Sequence, residues 1–249
     1  GSSFIALEFL EIFLQNKINP TVLVRDDRFF GAFLDTQGGA MMEATMKKHG
    51  IECVFSDEVS TIAKGDGGYV ITSLRARRIA ADALALGIGL ERNVSFLEGS
   101  GIALATRGVK VNEYLETNIP GIWAAGDIAE YFDPASGTFH TAGNWTHAIL
   151  QGTRAGLNMA GDRGAFSSVP SYGVSCLGMH MAAIGAPGGS EAITRADPLN
   201  DRYGRFFFKD GMMTGAFLIN RAKDRPYFAD LIQQRARLEA FERDSIWIA

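Results

Sequence analysis

TNIPGIWAAGD, Thr117 to Asp127, joins a turn built on Pro120 and Gly121 to a short apolar stretch, two alanines, a glycine and an acid. The apolar stretch is expected to run as a strand. Small residues at its end let a ligand's backbone come close, and Asp127 is placed to accept hydrogen bonds from a sugar-like chain of hydroxyls. A Gly-Asp pair after a strand is also what an ordinary turn looks like, so the reading depends on the segments around it.

Three segments support it. GSSFIALEFL at the front of the chain sets Gly1, Ser3 and Ala6 at the spacing Gly-x-Gly-x-x-Gly/Ala. In that fingerprint the first glycine makes the turn, the second lets pyrophosphate touch backbone, and the third position packs helix on strand. Ser3 departs from it: a side chain stands where phosphates approach, though its hydroxyl can donate a hydrogen bond in exchange. Phe4 and Ile5 belong to the same loop and helix start. IAADALALGIG, Ile79 to Gly89, carries a predicted strand at Ala83 to Ile88, with Gly87 near its end. AGNWTHAILQGTRAGLNMAG, Ala142 to Gly161, predicts a helix with Asn144 and Trp145 at its start and Gly152 permitting close packing.

Between these segments the hydrophobic pattern alternates. Phe4, Leu7, Leu10 and Leu14, with Ile5, Phe9 and Phe13 beside them, predict a helix packed on a sheet. Thr21 to Val24 reads as a strand, Met41 to His49 as a helix and Ile51 to Phe55 as a second strand, which implies βαβ units. Val59 to Ala63 and Tyr69 to Leu74 flank Gly65-Asp66-Gly67-Gly68 as a hairpin. A loop is expected after Asp127. From Val169 onward a β-rich tail is expected, with a hairpin at Lys209-Asp210-Gly211 and a charged helix near Arg225 to Glu242.

Composition bounds the function. The 249 residues are 47% hydrophobic with 29 glycines, enough for two or three α/β pieces with an ample core. The net charge of −4 gives no basic field to attract nucleic acid or an anionic membrane. Phe4 to Leu14, the most apolar early stretch, is too short to span a bilayer and contains Glu8 and Glu11, so a cytoplasmic location is the default expectation. Cys53 and Cys176 have no Cys-x-x-Cys spacing and are expected to be buried structural thiols, with no metal site. His49, His140, His147 and His180 are scattered and read as surface or satisfied core residues.

The four quoted segments, in their order along the chain, resemble the pyridine-nucleotide flavoprotein reductases, the superfamily of glutathione reductase, NADH oxidases, and rubredoxin or nitrite reductases. The resemblance implies an α/β fold in three parts. Residues 1–93 would form a Rossmann-like NAD(P)-binding domain with a three-stranded crossover, lacking its first strand. Residues 94–168 would form the second half of an FAD-binding domain, and residues 169–249 a small α+β C-terminal domain. It implies that Asp127, after Gly126, holds the ribityl chain of FAD, that the helix bearing Asn144 and Trp145 runs under the flavin ring, and that Gly1, Ser3, Phe4, Ile5 and Gly87 form the nucleotide site. Glu8 matches an acid that orders the nicotinamide side, the one candidate for a catalytic role; otherwise it is a polar position on a helix. Trp145 either flanks the flavin or packs in a core.

Family members carry about a hundred or more residues before this point, an ordinary domain's worth, with the adenine half of the FAD site and the strand preceding Gly1. The expectation is therefore a fragment whose partner is that N-terminal FAD-binding segment. The acceptor would be a small redox protein, a nitrite-reductase-type centre or O2, and a homodimer is compatible. The tail KDGMMTGAFLI, Lys209 to Ile219, resembles rubredoxin-reductase-like members, and there is no His-Pro pair of the thiol-reducing kind. A disulfide reductase whose cysteine precedes Gly1, and a non-catalytic nucleotide-binding or redox-sensing module, remain the alternatives.

Cofactor choice turns on the end of the second strand, where NAD sites carry an acid and NADP sites an arginine. Arg25 stands there and Arg28 follows, which favours NADPH over NADH. Alternatively Arg25 pairs with Asp26 or Asp27 on a solvated turn, or one of those acids takes the ribose hydroxyls of NADH.

Overall fold

A computed structural model describes residues 1–65, 67–133 and 138–246, so Asp66 of the expected hairpin turn lies outside the described residues. The fold is mixed α/β with parallel and antiparallel sheets. The elements are α1 (Phe4–Gln15), β1 (Thr21–Leu23), α2 (Thr36–Lys48), β2 (Glu52–Val54), β3 (Val59–Gly65), β4 (Gly68–Ser73) and β5 (Arg78–Ala81), then β6 (Val109–Val111), β7 (Ala129–Asp133), β8 (Thr138–His140) and α3 (Trp145–Met159). The remainder is β9 (Ser171–Cys176), β10 (Met179–Gly185), β11 (Glu191–Asp197), β12 (Arg202–Lys209), β13 (Met212–Ile219), α4 (Arg225–Gln233) and α5 (Ala240–Asp244). Two compact units result: Gly1–Gly89 with Val174–His180, and Leu90–Gly173 with Met181–Ala249.

In the first unit β1 pairs parallel with β2, the expected βαβ arrangement, with α2 as the crossover. Ala6, Leu7 and Leu10 of α1 are buried with Val22, Val24 and Phe29. Helix α2 starts earlier than the periodicity suggests because Asp35 caps it, its carboxylate accepting the Gly38 N–H at 3.0 Å. Strands β3, β4 and β5 form an antiparallel meander of three strands. The predicted strand at 83–88 does not form: β5 ends at Ala81, and residues 83–88 enter no ladder among the described residues. Their backbone is taken up by a close approach to α1 instead. A Cβ at Gly87 would lie 2.9 Å from the Ala6 nitrogen and 3.0 Å from its Cα, so glycine is required there. Residues 174–180 also belong to this unit; Glu11 accepts the Leu177 N–H at 2.7 Å and the Cys176 thiol at 3.4 Å.

In the second unit the stretch before Asp127 is not a strand. Thr117 N–H donates to the Ile122 carbonyl at 2.9 Å, Gly121 takes φ +82°, and only Trp123 makes a bridge, to Glu116. Ala124 N–H also donates to the Leu115 carbonyl at 3.1 Å, so the segment folds back on residues 115–117 with one bridge pair and no named strand among the described residues. A single 3-10 turn covers Gly126–Ile128, and the expected loop after it is replaced by β7, parallel to β6 and antiparallel to β8. Val109, Val111, Leu115, Ala129, Tyr131 and Ala155 form its core.

The C-terminal part is a five-stranded sheet in the order β11-β12-β13-β10-β9, with the expected hairpin between β12 and β13. Phe206, Phe208 and Leu218 pack with Phe228 and Ile232 of α4. The expected helix from Arg225 to Glu242 is broken: Arg235 has φ +52°, and Leu238 N–H donates to the Gly211 carbonyl at 3.0 Å. No helix of the described residues is long and apolar enough to cross a membrane.

Gly87→Ala is expected to cost about 1–3 kcal/mol by overpacking the start of α1. Gly31→Ala, whose nearest neighbour would lie at 3.7 Å, is expected to fall within about 0.5 kcal/mol of the parent. Denaturant unfolding of the two variants beside the parent checks the difference.

Candidate functional site

The first unit gathers its predicted residues at one end of α1. The Gly1 backbone nitrogen donates to the Leu23 carbonyl at 2.9 Å, and the Ser2 carbonyl accepts the Phe30 N–H at 3.1 Å. These bonds set the loop beside the end of β1. A Cβ at Gly1 would fall 2.1 Å from the Gly87 carbonyl oxygen, so Gly1 and Gly87 are in backbone contact. Ser3 is the N-cap residue of α1, yet its side chain makes no capping bond, and the first turn holds no acid. Its hydroxyl instead reaches toward the Gly87 carbonyl, a long contact of 3.5 Å. First-turn N–H groups and the positive end of the helix dipole together suit an anion such as pyrophosphate. Phe4 packs on Phe30 with ring centroids 4.7 Å apart, while Ile5 is exposed.

The two arginines differ. The Arg25 side chain is 74% exposed and its pairing with Asp26 at 3.3 Å is a solvated contact of little worth. Arg28 is 25% exposed, clasps the Asp27 carboxylate through two nitrogens, and its stem lies where a Cβ at Gly39 would come within 3.0 Å.

Glu8 is half-buried on α1. With Glu11 it lies near Cys176, whose thiol is pushed up to about 12 by burial first, then by the hydrogen bond to Glu11 and the charges of Glu11 and Glu8. Burial, with the charges of Glu43 and Glu52, raises Cys53 to about 11. Both thiols are free and held protonated, unlike the thiolate a disulfide-exchanging nucleophile needs.

The second unit gathers the other set. Gly126 takes φ +83° and its N–H donates to Gln151 Oε1 of α3 at 2.7 Å, a buried bond. The Asp127 carbonyl accepts Arg92 Nε at 3.1 Å, while the Asp127 side chain is exposed and takes no hydrogen bond among the described residues. Asn144 caps α3, its Oδ1 accepting the His147 N–H at 2.9 Å. Trp145 is 82% exposed at the first turn of α3, which removes the core-packing reading. His147 is buried against Tyr131 and Phe166. Sequence reasoning passed over Gln151 and Arg92. A polar residue in the middle of a helix, on the face shared by His147, Ala155 and Asn158, was the available signal for Gln151; Arg92 left none.

A model of the pyridine nucleotide-disulphide oxidoreductase family matches residues 1–152, more than half of the chain. The chain belongs to that family. It is 26% identical over 245 residues, 96% of this chain and 58% of the relative, to the NADH-dependent phenylglyoxylate dehydrogenase subunit epsilon of Aromatoleum evansii. It is 25% identical over 90% of its length, covering 55% of the relative, to the ferredoxin–NAD(+) reductase component of an anthranilate 1,2-dioxygenase system from Burkholderia cepacia. Among solved structures, an FAD-dependent pyridine nucleotide-disulphide oxidoreductase from Desulfovibrio vulgaris shares the fold at a TM-score of 0.84 with 18% identity, covering 95% of this chain and 64% of that one. The chain thus spans somewhat over half the length of these three proteins, and 28–45% of several other relatives. The family is FAD- and NAD(P)H-dependent.

In the folded protein, alkylation of Cys176 at pH 8 is expected to run about a hundredfold or more slower than in denaturant, because only the thiolate reacts. Iodoacetamide labelling followed by mass spectrometry checks this; equal rates in the two states would show that the thiol is neither shielded nor raised in pKa by the fold.

Proposed function

We propose that the protein is an FAD-dependent oxidoreductase that takes a hydride from NADPH and passes electrons to a small iron–sulfur protein. The observation that carries the reading is the exposed Asp127 carboxylate, set on a backbone held at Gly126 and Asp127 and exposed for a ligand's hydroxyls. The family match supports the flavin and nicotinamide assignment, and the ferredoxin reductase among the relatives supports the acceptor class.

The residues present fit both cofactors. Gly1 and Gly87 leave no room for side chains, Ser3 leaves the first turn of α1 uncapped, and this end of the helix would take the nucleotide's pyrophosphate. Phe4 and Ile5 would line that loop and Glu8 would orient the nicotinamide side. Arg25 would read the 2'-phosphate, since its solvated pair with Asp26 is easily exchanged, whereas Arg28 is committed to Asp27 and to packing on α2. Asp127 would accept hydrogen bonds from the ribityl hydroxyls, and Trp145 with the Asn144-capped start of α3 would border the flavin. Bound FAD would supply the hydride acceptor and the means to release electrons one at a time. The protein's part is alignment. A segment outside residues 1–249 would supply the rest of the flavin site, as the longer relatives suggest, and the three-domain division at residues 93 and 168 would follow from that arrangement.

Asp127→Ala is expected to weaken FAD about ten- to a hundredfold, the worth of a charge-assisted hydrogen bond of about 1.5–3 kcal/mol. Flavin fluorescence titration of the longest native polypeptide carrying this sequence checks it, and unchanged affinity would remove the reading. Arg25→Ala is expected to lower the NADPH-to-NADH ratio of kcat/KM about ten- to a hundredfold, with Arg28→Ala doing less. A ratio that ignores Arg25 would favour NADH, with Asp26 or Asp27 taking the ribose hydroxyls.

A further inference from the structure

The hydrogen bonds around Asp127 come from two residues to which the sequence motifs give no role. Gln151 is 0% exposed, in the middle of α3, and its Oε1 accepts the Gly126 N–H at 2.7 Å. Its Nε2 has no hydrogen-bond partner among the described residues. A leucine would fill the same interior volume and remove the unpaired Nε2, but it would strand the buried Gly126 N–H, so the acceptor rather than packing accounts for glutamine here. Arg92 comes from the opposite side of the sequence, before β6, and its Nε donates to the Asp127 carbonyl at 3.1 Å. The peptide nitrogen before Asp127 and the carbonyl after it are therefore each tied to a side chain. Gly126 itself holds φ +83°, and a Cβ there would meet Ala148 Cβ at 3.5 Å, so the turn lies directly on α3.

We propose that Gln151, assisted by Arg92, is a positioning residue: it holds the Gly126–Asp127 backbone in the left-handed turn that presents the Asp127 carboxylate, and so sets cofactor affinity through Asp127. The inference rests on the reading of Asp127 as a flavin ligand. The geometry of the clamp does not. A carboxylate whose own oxygens have no protein partner keeps its rotamer freedom, so its backbone is what determines where it is offered to a ligand. Fixing that backbone before the ligand arrives removes an ordering cost from binding.

Two measurements test this. Amide hydrogen exchange reads the clamp with no cofactor present. Gln151→Leu is expected to speed exchange at Gly126 by about tenfold or more while the Ala155 amide of α3 stays within about twofold, and Gln151→Glu, which keeps an acceptor at the same place, is expected to restore most of the protection. Flavin titration then reads the consequence. Gln151→Leu and Arg92→Ala are each expected to weaken FAD about three- to tenfold in the parent, yet to add less than about twofold in an Asp127→Ala background, since they act through that residue. Unchanged exchange at Gly126, a rise spread evenly along α3, or losses that add fully to that of Asp127→Ala would each overturn the proposal. Arg92 is only half-buried, so its variant keeps the test open should Gln151→Leu fail to fold. If the parent polypeptide binds no FAD, the flavin reading falls, and exchange at Gly126 still decides whether the clamp exists.

Discussion

The hydrogen bond from Gly126 N–H to the buried amide oxygen of Gln151 governs the second unit's candidate site. It ties Gly126, at φ +83°, to the centre of α3, close to the other candidate residues of this unit. Asp127 is left outside, Asn144 starts the helix, and Trp145 stands in solvent at the first turn. A buried N–H without that acceptor would carry a desolvation cost of about 1–3 kcal/mol, a large share of a domain's stability. The turn and the helix are therefore joined by a buried hydrogen bond, on which the positioning role proposed for Gln151 rests.

In the first unit an equivalent constraint is steric. The backbones of Gly1, Gly87 and the Ala6 turn approach so closely that no Cβ fits at either glycine. That approach packs α1 against the end of β1 and leaves Ser3 without a capping bond. A helix that closed its own N-terminus with a serine or aspartate bond would be more stable alone and a poorer anion site. The electrostatics agree: Glu8 and Glu11 lie on α1 beyond the first turn, and the largely exposed Arg25 side chain, paired with Asp26, stands past β1.

Much of this was legible in the sequence. The glycine and alanine spacing located α1 and its tight start, β-branched residues located β1, and the Lys209-Asp210-Gly211 turn located the β12–β13 hairpin. Of the two cysteines expected to be buried, Cys176 is buried while Cys53 is only half-buried, and burial raises the pKa of both. What failed did so where tertiary partners decide. Residues 83–88 have the composition of a strand, but a strand exists only where a neighbour takes its hydrogen bonds, and Gly87 is occupied with Ala6. Ile122 and Trp123 are apolar enough for a strand, but their pairing stops at the Glu116–Trp123 bridge and no further ladder partner is met among the described residues. The break at Arg235 could not be read, because a non-glycine residue in the left-handed region carries no composition signal and is stabilised by the pairing of Leu238 with Gly211. Gln151 shows in the sequence only as a polar residue on the inner face of a helix; its acceptor role needs Gly126 as a partner across the fold.

The central claim is that a flavin held at Asp127 receives a hydride from a nucleotide held at Gly1, Ser3 and Arg25. Anaerobic mixing of the FAD-loaded, longest native polypeptide with NADPH or NADH, followed by visible flavin absorption, tests it most directly. The account predicts rapid bleaching that is faster with NADPH. A polypeptide that takes up no flavin, or whose bound flavin stays oxidised with both nucleotides, would contradict it.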